Sequence, residues 1–116
     1  DTEMFIKEVD SPQLVSKMEE NDDLVIIDVR EMHEINRGTI QGAIPMPMAT
    51  IPVRLDEIPK DKEVVFICRS GARSGQVCMF LGQHGYENVI NLSGGIIGWV
   101  RSGYQPVLPD QVSSTY

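Results

Sequence analysis

An α/β fold, a central and mostly parallel five-stranded sheet flanked by helices on both faces, follows from two features of the chain. Strand-like and helix-like stretches alternate from end to end. The strand-like runs 24–29 and 64–67 are continuously apolar rather than alternating, which marks strands covered on both faces. The 116 residues fit one domain, since single cores commonly run to about 100 to 150 residues. That domain is expected over residues 1–108, with 109–116 as a loosely held polar tail.

Residues 5–9 form a first short strand. Ser11-Pro12 then supplies an N-cap and a proline at the first helical position, and Leu14, Val15 and Met18 give a helix over 12–20 one buried face. Asn21-Asp22-Asp23 breaks it, and the apolar run 24–29 is a central strand. A short helix over 31–37 ends at Gly38. The segment Gly42-Ala43-Ile44-Pro45-Met46-Pro47 is extended and lies at a sheet edge, because proline cannot donate to a central ladder. A further helix is expected over 49–58, with Pro52 near its start and Pro59 beyond its end. Residues 64–67 are the next core strand. Val77, Phe80, Leu81 and His84 recur at helical spacing over 74–84, with Gly85 placed to end the helix in a left-handed conformation. Residues 88–92 form the last strand, followed by Gly94-Gly95 and a short helix ending near Gly103.

Ten Lys and Arg against seventeen Asp and Glu leave a net charge of −7, which argues against a nucleic-acid partner. No apolar run approaches the roughly 20 residues of a membrane span. Two cysteines, Cys68 and Cys78, are too few for a disulfide scaffold, so a reducing, cytoplasmic setting is expected. The chain opens at Asp1 without an initiator methionine, the expectation for a processed or trimmed form, and export after removal of a signal stays open. Monomer and homodimer are both compatible with the sequence.

The stretch that carries chemistry is Cys68-Arg69-Ser70-Gly71-Ala72-Arg73-Ser74, between a core strand and a helix. Ligands of parallel α/β sheets sit beyond the carboxyl ends of the strands, and Cys68 ends one. Ser70, Gly71 and Ala72 are small enough to let successive amides converge on an anion, and the following helix aims unpaired N–H groups at the same point. Free cysteine titrates near 8.5, so only about 3% is thiolate at pH 7; a shift of about two units makes it mostly thiolate and requires about 2.7 kcal/mol. Helix amides and two guanidiniums can supply that. The competing reading is a small buried hydrophobe at the end of a strand. Sulfur and phosphorus chemistry both remain open on the loop alone.

Together with Asp28-Val29-Arg30-Glu31, Gly38-Thr39-Ile40-Gln41-Gly42-Ala43 and Gly94-Gly95-Ile96-Ile97-Gly98-Trp99, the loop resembles that of single-domain rhodanese sulfurtransferases, over roughly residues 7–107. The resemblance implies a rhodanese-like fold and a thiosulfate sulfurtransferase-like enzyme without a cofactor. Cys68 would take a sulfane sulfur from a small anionic donor such as thiosulfate or polysulfide, hold it as a persulfide, and pass it to cyanide or a thiol, including a protein thiol. Arg69, Ser70, Gly71, Ala72, Arg73 and Ser74 would bind the substrate, with Arg69 and Arg73 orienting the donor. Asp28 and Arg30 would stabilise the loop, Asp28 by pairing with Arg69. Phosphatases sharing this fold place five residues between cysteine and arginine. Here four separate Cys68 from Arg73, which suits sulfur better than a phosphoryl group. Thr39 stands where the family pattern has histidine, and Ile35 where an aromatic is frequent. The rival from another class is a non-catalytic rhodanese-like module that binds a protein or carries sulfur.

Cys78 is either a resolving thiol or a core residue of its helix, the latter being favoured. His33 and His84 have no partners at metal-ligand spacing, so no metal is expected. Asp28 and Glu31 fit an ion-pair scaffold better than an acid–base pair. Met46 and Met48 fit either a partner surface or gaps in the core, and Trp99 fits a packing anchor for the last helix.

Overall fold

The computed structural model describes residues 6–109. Its elements are β1 (Lys7–Val9), α1 (Ser11–Glu20), β2 (Val25–Asp28), α2 (Met32–Ile35), β3 (Ile44–Pro45), two 3₁₀ segments (Met48–Val53 and Leu55–Glu57), β4 (Val64–Ile67), α3 (Ala72–Gln83), β5 (Val89–Leu92) and α4 (Gly95–Arg101). The five strands form one sheet in the order β1-β5-β4-β2-β3. Every pairing is parallel. The proline-bearing β3 lies at an edge, as its composition requires.

Alternation along β4 divides the interior. Val64, Phe66 and Cys68 face one core with Val77, Cys78 and Leu81 of α3 and Ile51 of the first 3₁₀ segment. Val65 and Ile67 face the other, with Leu14 of α1 and Trp99 of α4. Successive strand side chains point to opposite faces, so the parity of β4 fixes Cys68 on the α3 side.

The strand order also opens a crevice. β2 leads through α2 to β3 on one side, while its neighbour β4 leads through α3 to β5 on the other. The chain therefore diverges at the carboxyl ends of β2 and β4, the position where parallel α/β sheets bind ligands. Asp28 pairs with Ile67 in that register, which brings Arg30 and Cys68 to the rim of the same crevice.

Several local expectations need correction. The N-cap of α1 is Asp10, not Ser11: the Gln13 amide donates to Asp10 Oδ1 at 2.9 Å, and the Asp10 amide donates to Gln13 Oε1 at 2.9 Å. A carboxylate one residue earlier completes a reciprocal capping box, and Ser11 is drawn into the helix and buried. The helix expected over 49–58 is two 3₁₀ segments. Pro52 lacks the amide that would bond the Met48 carbonyl, and Thr50, Arg54, Glu57 and Ile58 each donate three residues back instead. α3 begins at Ala72, two residues before the expected 74, because Gly71 turns the chain with φ +102°. Phe5 and residues 110–116 lie outside the described residues, so the tail expectation falls almost wholly outside them.

Met46 is buried in the α3-side core and Met48 packs against it, so both fill gaps. Trp99 is buried and stacks on Tyr104, with centroids 4.7 Å apart. Cys78 is buried in the same core as Val77 and Leu81; burial first and then Glu8 push its thiol up to about 12. His84 caps α3 on the exposed side, its Nδ1 2.8 Å from the Phe80 carbonyl.

Candidate active site

Cys68 sits where β4 ends, 1% exposed, beneath the loop that leads into α3. The Gly71 amide donates to its Sγ at 3.1 Å, and the Ser74 hydroxyl lies 3.3 Å from the same atom. Burial pushes the thiol up, but the Ser74 hydroxyl and the backbone amides of Ser74, Gly71 and Ser70 outweigh it, so its pKa falls below the ordinary value. The Ser74 amide belongs to the first turn of α3 and those of Gly71 and Ser70 to the loop that enters it, and the helix dipole favours the same charge. Cys68 thus sits in a cradle of N–H and O–H donors that favours its charged form against burial.

Two glycines make the cradle possible. At Gly71 a Cβ would stand 3.2 Å from the Leu92 carbonyl and 3.3 Å from the Gly94 amide, and the positive φ already disfavours any other residue. Gly95, at φ +59°, packs so closely under the loop that a Cβ would run into the carbonyls of Cys68 and Arg69. That approach lets the Ile96 amide donate to the Cys68 carbonyl at 2.9 Å and the Ile97 amide to the Arg69 carbonyl at 3.1 Å. The Gly94-Gly95 pair is therefore the floor on which the cysteine loop rests.

The charged residues divide differently from expectation. Asp28 pairs with Arg30, not Arg69: Arg30 Nη2 is 2.7 Å from Asp28 Oδ2, and Arg30 Nε is 3.0 Å from Oδ1. Thr39 Oγ1 donates to Asp28 Oδ2 at 2.7 Å, so Thr39 supplies this carboxylate with a second side-chain donor besides Arg30. Arg30 also donates to the Gly38 carbonyl, tying the end of β2 to the segment after α2. Asp28 and Arg30 are almost wholly buried and mutually satisfied, and they stiffen the crevice wall rather than hold the loop through Arg69.

Arg73 is not free to orient a donor. Its guanidinium makes a two-pronged pair with Glu34 of α2, both contacts 2.9 Å. That fork is the strong geometry for arginine and carboxylate, and the Arg73 guanidinium holds the Glu34 carboxyl down at about 2. The pair clamps α3 to α2 across the crevice, and the charge of Arg73 still acts on Cys68. Arg69 and Ser70 are exposed, and the Arg69 side chain makes no ion pair or hydrogen bond among the described residues. Ala72 is also exposed, at the first position of α3.

Sequence reasoning missed Glu34, Asn91 and Glu8. Asn91 is a buried polar residue inside the apolar run of β5, which is the signal that could have found it. Its Oδ1 takes a short hydrogen bond from Ser74, and its Nδ2 donates to the Gly71 carbonyl at 3.1 Å and to Glu8 at 2.9 Å. The chain from Glu8 through Asn91 and Ser74 ends on the Cys68 sulfur.

Comparison with known proteins agrees with this geometry. The model of the rhodanese-like domain matches residues 11–102. A sulfurtransferase of Allochromatium vinosum is 47% identical over 106 residues, covering 91% of this chain and 99% of that protein. The thiosulfate sulfurtransferase GlpE of Glaesserella parasuis is 34% identical over 92 residues, covering 79% and 85%. Among solved structures, a rhodanese-like domain protein from Staphylococcus aureus superposes with a TM-score of 0.80 at 29% identity, covering 90% of this chain and all of that one. With a cysteine loop cradled by helix amides at the carboxyl end of a central parallel strand, and matches spanning nearly its full length, the chain belongs to the rhodanese-like domain family.

Proposed function

We propose that the chain is a sulfurtransferase in which Cys68 carries the transferred sulfur as a persulfide. The observation that carries this reading is the seat of the Cys68 sulfur between the Gly71 amide and the Ser74 hydroxyl, with its pKa lowered. Donors aimed at a developing anion in a water-poor site are worth more than the same donors in water.

With thiosulfate as donor, the Cys68 thiolate attacks the outer sulfur, the sulfur–sulfur bond of thiosulfate breaks, and sulfite departs with the bonding pair. Cys68 is left as a persulfide anion. A thiophile such as cyanide or a thiolate then attacks that outer sulfur and releases the Cys68 thiolate. No cofactor enters either half, which makes the cycle ping-pong. The amides of residues 69–74 hold the persulfide charge. Arg69, exposed beside Cys68, attracts the dianion, while Arg73 keeps the loop in register through Glu34. The name of the Glaesserella relative supports thiosulfate among the donors.

Intact-mass measurement tests the reading. After incubation with thiosulfate or polysulfide, the protein is expected to gain one sulfur, about 32 Da, and Cys68→Ser to gain none. A wild-type protein that stays unmodified with several donors rejects it. If sulfur is taken up but turnover with cyanide and small thiols is negligible, the chain is a sulfur carrier rather than a sulfurtransferase.

A further inference from the structure

Beside the cysteine loop lies a cavity of about 220 Å³ whose wall includes Arg30, Glu34, Arg37, Arg69, Ile96 and Ile97. Its charges do not cancel. Arg30 is matched by Asp28 and Glu34 by Arg73. The side chains of Arg37 and Arg69 make no ion pair or hydrogen bond among the described residues. Two uncompensated guanidiniums thus share one cavity in a chain whose net charge is −7.

The lining also has an apolar part, to which Ile96 and Ile97 contribute. Their amides are the ones bonded to the Cys68 and Arg69 carbonyls, so this part of the lining and the peptide of the nucleophile form one rigid unit. A ligand seated here adjoins the loop that would hold the persulfide. The cavity is smaller than the roughly 300–1,000 Å³ of sites for drug-sized ligands, which selects a small molecule. Thiosulfate has no apolar part to set against two isoleucines. A short alkyl stem ending in a carboxylate matches both the apolar and the cationic parts of this lining, because arginine binds carboxylate through parallel N–H donors.

We propose that this cavity is the acceptor subsite and takes a small alkyl thiol bearing a carboxylate, with Arg37 and Arg69 holding the carboxylate and Ile96 and Ile97 flanking the stem. The proposal rests on the persulfide reading of Cys68. The acceptor thiolate attacks the outer sulfur of the persulfide, the bond between that sulfur and Cys68 Sγ breaks, and its electron pair stays on Cys68 as thiolate. The product is an alkyl persulfide anion, which carries away the charge of the outer sulfur.

The test loads the protein with sulfur and follows its removal by 3-mercaptopropionate, 2-mercaptoethanol and cysteamine, which are anionic, neutral and cationic away from the thiol. Intrinsic thiol reactivity cancels when the anionic-to-neutral rate ratio of wild type is divided by that of a variant. Arg37→Glu is expected to lower that ratio about tenfold and to raise the cationic-to-neutral ratio, and added salt to lower the wild-type ratio. Ratios that do not move in Arg37→Glu overturn the proposal. If no sulfur loads, the persulfide reading fails, and binding decides the subsite separately. Arginine Nε–H signals of Arg37 and Arg69 and the Ile96 and Ile97 amide signals are expected to shift saturably with 3-mercaptopropionate in nitrogen–proton NMR, and not with 2-mercaptoethanol. Their failure to shift in that titration overturns the subsite.

Discussion

At the scale of single residues, the hydroxyl of Ser74 has one hydrogen and two claimants, the Cys68 sulfur and Asn91 Oδ1. Asn91 cannot turn its amide away, because Nδ2 is committed to Glu8 and to the Gly71 carbonyl. Ser74→Ala removes the donor from the thiolate, and Asn91→Ala removes the competitor. A hydrogen bond to a charged group is worth about 1.5–3 kcal/mol, so Ser74→Ala is expected to raise the midpoint of Cys68 alkylation by about one to two pH units. Asn91→Ala is expected to move it the other way. Iodoacetamide rates against pH check both, and shifts of the same sign would refute the competition. Cys78, its thiol pushed up to about 12 in the core, is expected to stay unlabelled at pH 7 to 8 in the native protein. Cys68 and its loop were legible from local sequence because cysteine, small residues and helix start are contiguous. Glu34, Glu8 and Asn91 were not, because each reaches the site from another element, and only tertiary packing brings those elements together.

At the scale of elements, α4 supports the loop through a contact that admits no side chain. Gly95→Ala must push the carbonyls of Cys68 and Arg69 aside and break the two amide bonds beneath them. It is expected to cost more than about 2 kcal/mol and to abolish sulfur uptake. Gly42 is the control. It also has positive φ, but nothing lies within 4 Å of the Cβ it would gain, so Gly42→Ala should cost only the backbone strain of about 1–2 kcal/mol and leave uptake intact. Urea midpoints and intact mass compare them, and equal effects on uptake would show that crowding at the loop is not the cause. The strands and longer helices were legible because their apolar periods are strong. The stretch 49–58 misled because its apolar spacing suits an α-helix while Pro52 denies it the needed amide. The start of α1 shifted by one residue because Asp10 and Gln13 bond each other, a reciprocity that a preference for serine caps overlooks.

At the scale of the whole molecule, the Glu34–Arg73 pair is the ion pair that spans the crevice from α2 to α3. Glu34 titrates at about 2 when folded against an ordinary 4.5. A depressed carboxyl contributes stability that is complete above the unfolded value and is lost as pH falls through the folded one. The pair's contribution is therefore expected to be full above about pH 5 and to fade between about 4.5 and about 2. Glu34→Gln should show a shallower acid decline than wild type in thermal melts; identical slopes would remove the pair from the acid response. The same architecture sets an order of assembly. Cys68 leaves the ribosome well before Gly95, Ile96 and Ile97, the groups that seat its carbonyl and that of Arg69. During synthesis Cys68 emerges at the end of β4 with no floor beneath its loop, and its seat closes only when α4 is made.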